Sequence, residues 1–182
     1  NLYLDAALLL DEYLEVTHIS PEAYVTADAH DVVIFDGVTP NAAPTRPAIY
    51  LNPVPGTGFA PFAARGTVDG PRFERLERRD PLLRFTALAD VNVARALVLE
   101  TEQGDRVLGA DRRAPLLVVG TRVGQPFMAL AFDVRESDLP LRIAWPLLLL
   151  HAIEGFTEGP LGLASGISTG HVERVRVTTA RE

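Results

Sequence analysis

The chain contains no cysteine. That absence excludes disulfides, thiolate metal sites and a cysteine nucleophile together. Lysine is also absent, and all 17 basic residues are arginine, which we read as codon bias rather than chemistry. No apolar run is long. The most apolar stretch, residues 139–153, is interrupted by Pro140, Arg142, Pro146 and His151, and a bilayer span needs roughly 20 apolar residues. Positive charge is in deficit, with 24 acidic against 17 basic side chains and a net charge of −7. A phosphate-binding surface needs dense positive charge, so nucleic acid is not an expected partner.

What remains has the proportions of a folded globular protein: 182 residues, 47 % apolar and 23 % charged. A chain of this size buries about 70 % of its unfolded surface, enough to fold without a metal or a disulfide. It opens at Asn1 inside a helix-like run, and we expect it to be a piece of a longer protein.

Leucines and alanines between residues 2 and 10 predict a buried helix of about 12 residues. Residues 14–19 alternate apolar and polar, which predicts a strand stopped by Ser20-Pro21. Val32-Val33-Ile34-Phe35 and residues 47–51 are continuous apolar runs, as in parallel strands covered on both faces. Residues 52–71 read as a long loop with one short strand at 63–68, and residues 72–79 as an edge strand or polar connection. Asp80-Pro81-Leu82-Leu83 reads as a helical turn. Strands are expected at 94–100 and 106–109, and a β-hairpin over 115–132. A helix capped by Ser137 or Asp138 should run to about Phe156, kinked at Pro146. Residues 161–170 are small and flexible in composition. Residues 171–179 set Val172, Val175 and Val177 among Glu and Arg, and read as one amphipathic strand of another module or a sheet edge.

Three landmarks carry a family resemblance: Asp31-Val32-Val33-Ile34-Phe35-Asp36-Gly37, then Asp80-Pro81-Leu82-Leu83-Arg84-Phe85, then residues 132–141 running into Trp145-Pro146-Leu147-Leu148. Together they resemble the C-terminal region of BatA-type bacterial membrane proteins. Those proteins join membrane helices, a von Willebrand factor A domain and a class I glutamine amidotransferase-like domain. The resemblance covers residues 1–156, with 157–182 left as a linker and one strand. It implies an α/β, flavodoxin-like three-layer sandwich with a mostly parallel sheet and an added hairpin. It also implies a first strand ahead of Leu2, so that the fragment either lacks a central strand or has another segment, with the strand at 172–177 the candidate, in its place.

Active members of that superfamily use a cysteine at a strand-to-helix elbow and a late histidine with a glutamate. The elbow maps to Asn52, Pro53, Val54, Pro55 and Gly56, where no nucleophile stands. The late segment maps to Asp133-Val134-Arg135-Glu136, without histidine. The implied function is a non-catalytic scaffold or interaction module. Its partners would be other domains of the same protein, or a von Willebrand A-type or MoxR-type partner in envelope stress. The implied place is the bacterial inner membrane, on the periplasmic side. No cofactor and no metal are expected.

Asp36, Asp133, Glu136 and Asp138 fall at expected strand ends, where ligands collect in open α/β sheets. Converging there, they would hold Mg²⁺ or Ca²⁺ and support a cation-dependent hydrolase or a small-ligand sensor. Capping and arginine pairing compete with that role. His18, His30, His151 and His171 show no zinc spacing. Ser165 lies outside any G-x-S-x-G, and Gly56-Thr57-Gly58 lacks the lysine of a phosphate loop. Phe59 and Phe62, with Val54, mark either an interface or a loop folded over the sheet. Trp145 reads as core.

Overall fold

The computed structural model describes residues 1–24, 29–55 and 58–157. The expected strand at 172–177, Gly56, Thr57, Ser165 and His171 lie outside the described residues. Among the described residues, two α-helices, α1 (Leu2–Leu8) and α2 (Ala144–Thr157), accompany eight strands. The strands are β1 (Val33–Asp36), β2 (Ala48–Leu51), β3 (Ala64–Asp69), β4 (Arg75–Leu76), β5 (Arg95–Leu99), β6 (Arg106–Ala110), β7 (Pro115–Arg122) and β8 (Gln125–Leu130). Six of them form a mixed sheet in the order β1-β2-β8-β7-β6-β4, and β3 pairs with β5 beside it. The sheet is parallel from β1 through β2 to β8 and antiparallel from β8 onward. This is an α/β fold with few helices. β1 pairs directly with β2, so no slot for another strand is left between them.

The two apolar runs form β1 and β2 because both need cover on two faces; all four residues of β2 are buried. The period of two puts Phe35, Tyr50 and Phe127 on one face, where their rings pack in sequence at 5.3 and 6.3 Å. Tyr24 closes the row at the β1 side, edge-on to Phe35. Burial pushes the Tyr50 phenol well above its ordinary value. β7 and β8 close through Val123 and Gly124, both at positive φ (50° and 79°), the backbone of a two-residue hairpin turn.

Two expectations fail at the start of the chain. α1 has seven residues, and Leu2, Leu9 and Leu10 are exposed while Leu4, Ala7 and Leu8 are buried. Only the stripe at spacing i, i+3, i+4 faces the core, however apolar the rest. Residues 14–19 form no strand, and Val16 and Ile19 are exposed; alternation without a neighbouring edge to bond makes no ladder. The late helix is also shorter. Two 3₁₀ turns, Val134–Glu136 and Leu139–Leu141, precede α2. Pro146 therefore lies in the first turn of α2, where its missing N–H breaks no helical bond. Trp145 is core as expected, 1 % exposed, and its Nε1 donates to the Tyr3 carbonyl at 2.9 Å, tying α2 to α1.

The loop after β2 folds over the aromatic face. Phe62 packs against Phe127 and Tyr50, and Arg122 at the end of β7 stacks over both Phe62 and Phe127. Arg122 donates from Nε to the Pro61 carbonyl at 2.9 Å, and from Nη1 and Nη2 to Asp105 at 2.7 and 2.8 Å. The Asp105 side chain is 1 % exposed and that of Arg122 9 %. Burial pushes Asp105 up, but the hydrogen bonds from Arg122 and the Glu102 backbone outweigh it and hold the carboxyl below its ordinary value. Asp111 is a second buried carboxylate, held down to about 2 chiefly by its hydrogen bond from Arg113.

Acid stability follows from these signs. Carboxylates depressed in the folded state contribute stability that is complete above the unfolded value near 4 and lost as pH falls through the folded value. We expect the melting temperature to hold above about pH 4 and to drop steeply toward about pH 2. In Asp111→Asn that drop should be shallower, as followed by circular dichroism.

Candidate functional site

The carboxyl ends of β1, β2 and β8 meet at one end of the sheet, the edge where open α/β sheets place their ligands. β1 ends at Asp36, which accepts a hydrogen bond from Asn1 Nδ2 at 2.9 Å. Gly37 follows with φ 66° and donates to the Leu51 carbonyl at 2.8 Å. β2 ends at Asn52, whose φ of 50° is in the left-handed region. Asn52 N donates to the Leu130 carbonyl at 2.9 Å, so the turn is fixed against β8. Pro53 behind it is buried, and the Thr39 hydroxyl donates to the Val54 carbonyl. Asn52 through Pro55 thus make a sharp turn out of the central strand, but they lead into loop, not into a helix.

The four carboxylates singled out from the sequence do not form one cluster. Asp133 caps its own 3₁₀ turn through the Arg135 N–H and takes three guanidinium contacts from Arg135, at 2.5, 2.8 and 3.1 Å. Its carboxyl is held below the ordinary value chiefly by that side chain. Arg135 also faces the charge of Asp36. Glu136 turns to Arg95 at 3.5 Å. Asp138 binds Arg142 at 2.7 Å and takes two bonds from Asn92, at 2.9 and 2.8 Å. Its carboxyl is held far down, first by Arg142. Among the described residues, no group of three His, Asp or Glu side chains is placed to hold a metal ion.

The histidines stand apart. The His18 imidazole is 73 % exposed, 3.7 Å from Asp5. His151 Nδ1 lies 3.3 Å from the Leu82 carbonyl. Phe62 is 4 % exposed and belongs to the core rather than to an interface. Phe59 is half-buried, and its N–H donates to the Pro40 carbonyl at 2.7 Å, so this loop folds back onto the domain. Phe85, Leu141 and Ile143 are among the exposed apolar side chains, at 77, 80 and 76 %. Phe85 also carries a left-handed backbone, φ 61°, which costs a non-glycine residue about 1–2 kcal/mol. Sequence reasoning missed all three because each sits in a run whose other members are core.

No family model matches the chain, and no curated protein matches it. Two solved structures share its fold. The cytoplasmic protein STM1381 from Salmonella typhimurium LT2 aligns over 85 % of this chain and 86 % of its own, at 11 % identity and TM-score 0.65. The cytoplasmic protein STM3548 from Salmonella typhimurium aligns over 60 % of this chain and 55 % of its own, at 11 % identity and TM-score 0.51. At such identity the likeness concerns the fold alone. The expected place at the bacterial inner membrane, on the periplasmic side, is overturned. Both neighbours are cytoplasmic proteins by name. No helix among the described residues is long and apolar enough to cross a membrane.

Because Asp133, Glu136 and Asp138 are already committed to arginines and Asp36 to Asn1, added cations have nothing to gain. We expect the melting temperature to be unchanged by EDTA, Mg²⁺ or Ca²⁺ up to millimolar concentration. A saturable rise of about 2–4 °C, the size expected of a ligand at 100 times its dissociation constant, would contradict this if Asp133→Asn abolished it.

Proposed function

We propose that this chain is a non-catalytic α/β module that acts by contact with other protein domains. We read its parallel strands and hairpin as the flavodoxin-like, class I amidotransferase-like arrangement of BatA-type von Willebrand A proteins. On that reading its partner is a von Willebrand A-type or MoxR-type protein.

The observation that carries the proposal is the end of β2. There Asn52 adopts a left-handed backbone and is followed by a buried proline. An elbow of this kind presents a side chain above the sheet edge. Asparagine offers an amide there, which donates and accepts hydrogen bonds but does not attack an acyl carbon. The acids around it support the same reading, since Asp133 and Asp138 are ion-paired and held deprotonated, unfit as general acids near neutral pH. On this reading the exposed Phe85, Leu141 and Ile143 are among the apolar side chains that would meet a partner.

The test is turnover. The purified chain, offered glutamine, simple amides and activated esters, should hydrolyse none above the buffer rate. Hydrolysis that disappears in Asn52→Ala would overturn the proposal.

A further inference from the structure

The turn between β6 and β7 carries Arg112 and Arg113, and a cleft of about 470 Å³ opens beside it. Small-molecule sites run from about 300 to 1,000 Å³. Arg75, Arg112 and Arg113 line the cleft against the single acid Glu77, among the described residues. In a chain of net charge −7 this is a local excess of positive charge. Apolar side chains supply much of the remaining lining: Leu76, Leu99, Val107 and Pro115. Gly109 lets Leu76 settle there. A Cβ at Gly109 would stand 2.6 Å from the Phe73 ring and 3.3 Å from Leu76 Cδ2.

The arginines are held in place by the fold. Arg75 pairs with Ala110 in the ladder of β4 and β6, so it stands beside the turn. Asp111 fixes the turn itself, with its side chain 6 % exposed. Its carboxylate accepts from the backbone N–H groups of Arg72 and Arg113, at 3.2 and 2.9 Å, and from Arg113 Nε at 3.0 Å. Arg113 Nη2 donates to the Asp69 carbonyl at 3.2 Å. These side-chain bonds use two of the five N–H donors of a guanidinium. Arg112 Nε donates to Glu74 at 2.8 Å, with the Arg112 side chain 85 % exposed. An ion pair so exposed contributes little, so a better-placed anion can replace Glu74.

We propose that this cleft binds a small organic anion, its carboxylate or phosphate held by Arg75, Arg112 and Arg113 and its apolar body against Leu76, Leu99 and Val107. A guanidinium matches either acidic group with two parallel N–H···O bonds. Three arginines around one concavity of this size suit a compact anion. A nucleic-acid backbone needs positive charge spread over a longer surface.

Amide chemical shifts in NMR, followed on the full chain, test this with phenyl phosphate, benzoate, inorganic phosphate and benzyl alcohol as probes. Phenyl phosphate or benzoate should give saturable shifts at the amides of Ala110, Arg112 and Ala114. The Kd should lie at least about tenfold below that of inorganic phosphate, because the ring adds apolar contact. Benzyl alcohol has the ring without the charge and should give no saturable shift at these amides. Arg75→Gln/Arg112→Gln should raise the Kd at least about tenfold. Arg78 and Arg79 are exposed and do not line the cleft. Arg78→Gln/Arg79→Gln removes the same charge and should leave the Kd within about twofold. Arg75 and Arg112 are exposed as well, so both double variants should keep the fold. Four results would overturn the proposal: no saturable shift with either aromatic anion; benzyl alcohol binding as well as they do; inorganic phosphate binding as well as they do; or equal loss in both double variants, which would assign the binding to diffuse charge attraction.

Discussion

Arg122 is the residue on which the second layer of this protein depends. Its guanidinium lies over two phenyl rings, with centroids at 5.1 and 4.8 Å, and is held in plane by both oxygens of Asp105 and by the Pro61 carbonyl. The loop that leaves β2 at the carboxyl end of the sheet is thereby fixed where it reaches β3. Phe62, docked beside Arg122, then covers Tyr50 and Phe127. Gly120 makes room for the arrangement: a Cβ there would stand 2.5 Å from an Asp105 oxygen. A buried ion pair of this kind gives little net stability over an apolar replacement, yet breaking it is costly, because one charge is left behind without a partner.

At the carboxyl end of the same sheet, arginine does a different job. Arg135 and Arg142 occupy the carboxylates of Asp133 and Asp138 in place of a cation or a proton. Asn52 stands where the central strand turns sharply out of the sheet. The polar groups at this end of the sheet are thus already matched to one another. Among the described residues the main sheet ends on one side at β1, and Phe85, Leu141 and Ile143 are among the exposed apolar side chains. Its likeness to two cytoplasmic proteins of Salmonella typhimurium extends to the fold and no further.

Much of the fold was legible because its signals are local. Continuous apolar runs marked β1 and β2, proline and aspartate marked the turn at residues 80–83, and alternation marked the hairpin of β7 and β8. What failed depended on neighbours. Residues 14–19 alternate like a strand but bond to no edge. Leu2, Leu9 and Leu10 belong to a helix whose buried stripe is only three residues wide. The 3₁₀ turns before α2 were invisible because Leu139, Pro140 and Leu141 are as apolar as the helix that follows. The acids at the strand ends were correctly placed along the chain, but their arginine partners were separable from surface arginines only in three dimensions. Arg122 gave no warning at all, since an arginine beside a hairpin turn is normally solvated.

The claim that Arg122 and Asp105 act as one unit is measured most directly by a double-mutant cycle in urea. Arg122→Met and Asp105→Ala should each cost about 3–5 kcal/mol, because each strands the other partner or its hydrogen bonds. The double variant should cost about 2 kcal/mol less than their sum. Single losses that add to within about 0.5 kcal/mol in the double variant would show two independent side chains and contradict the account.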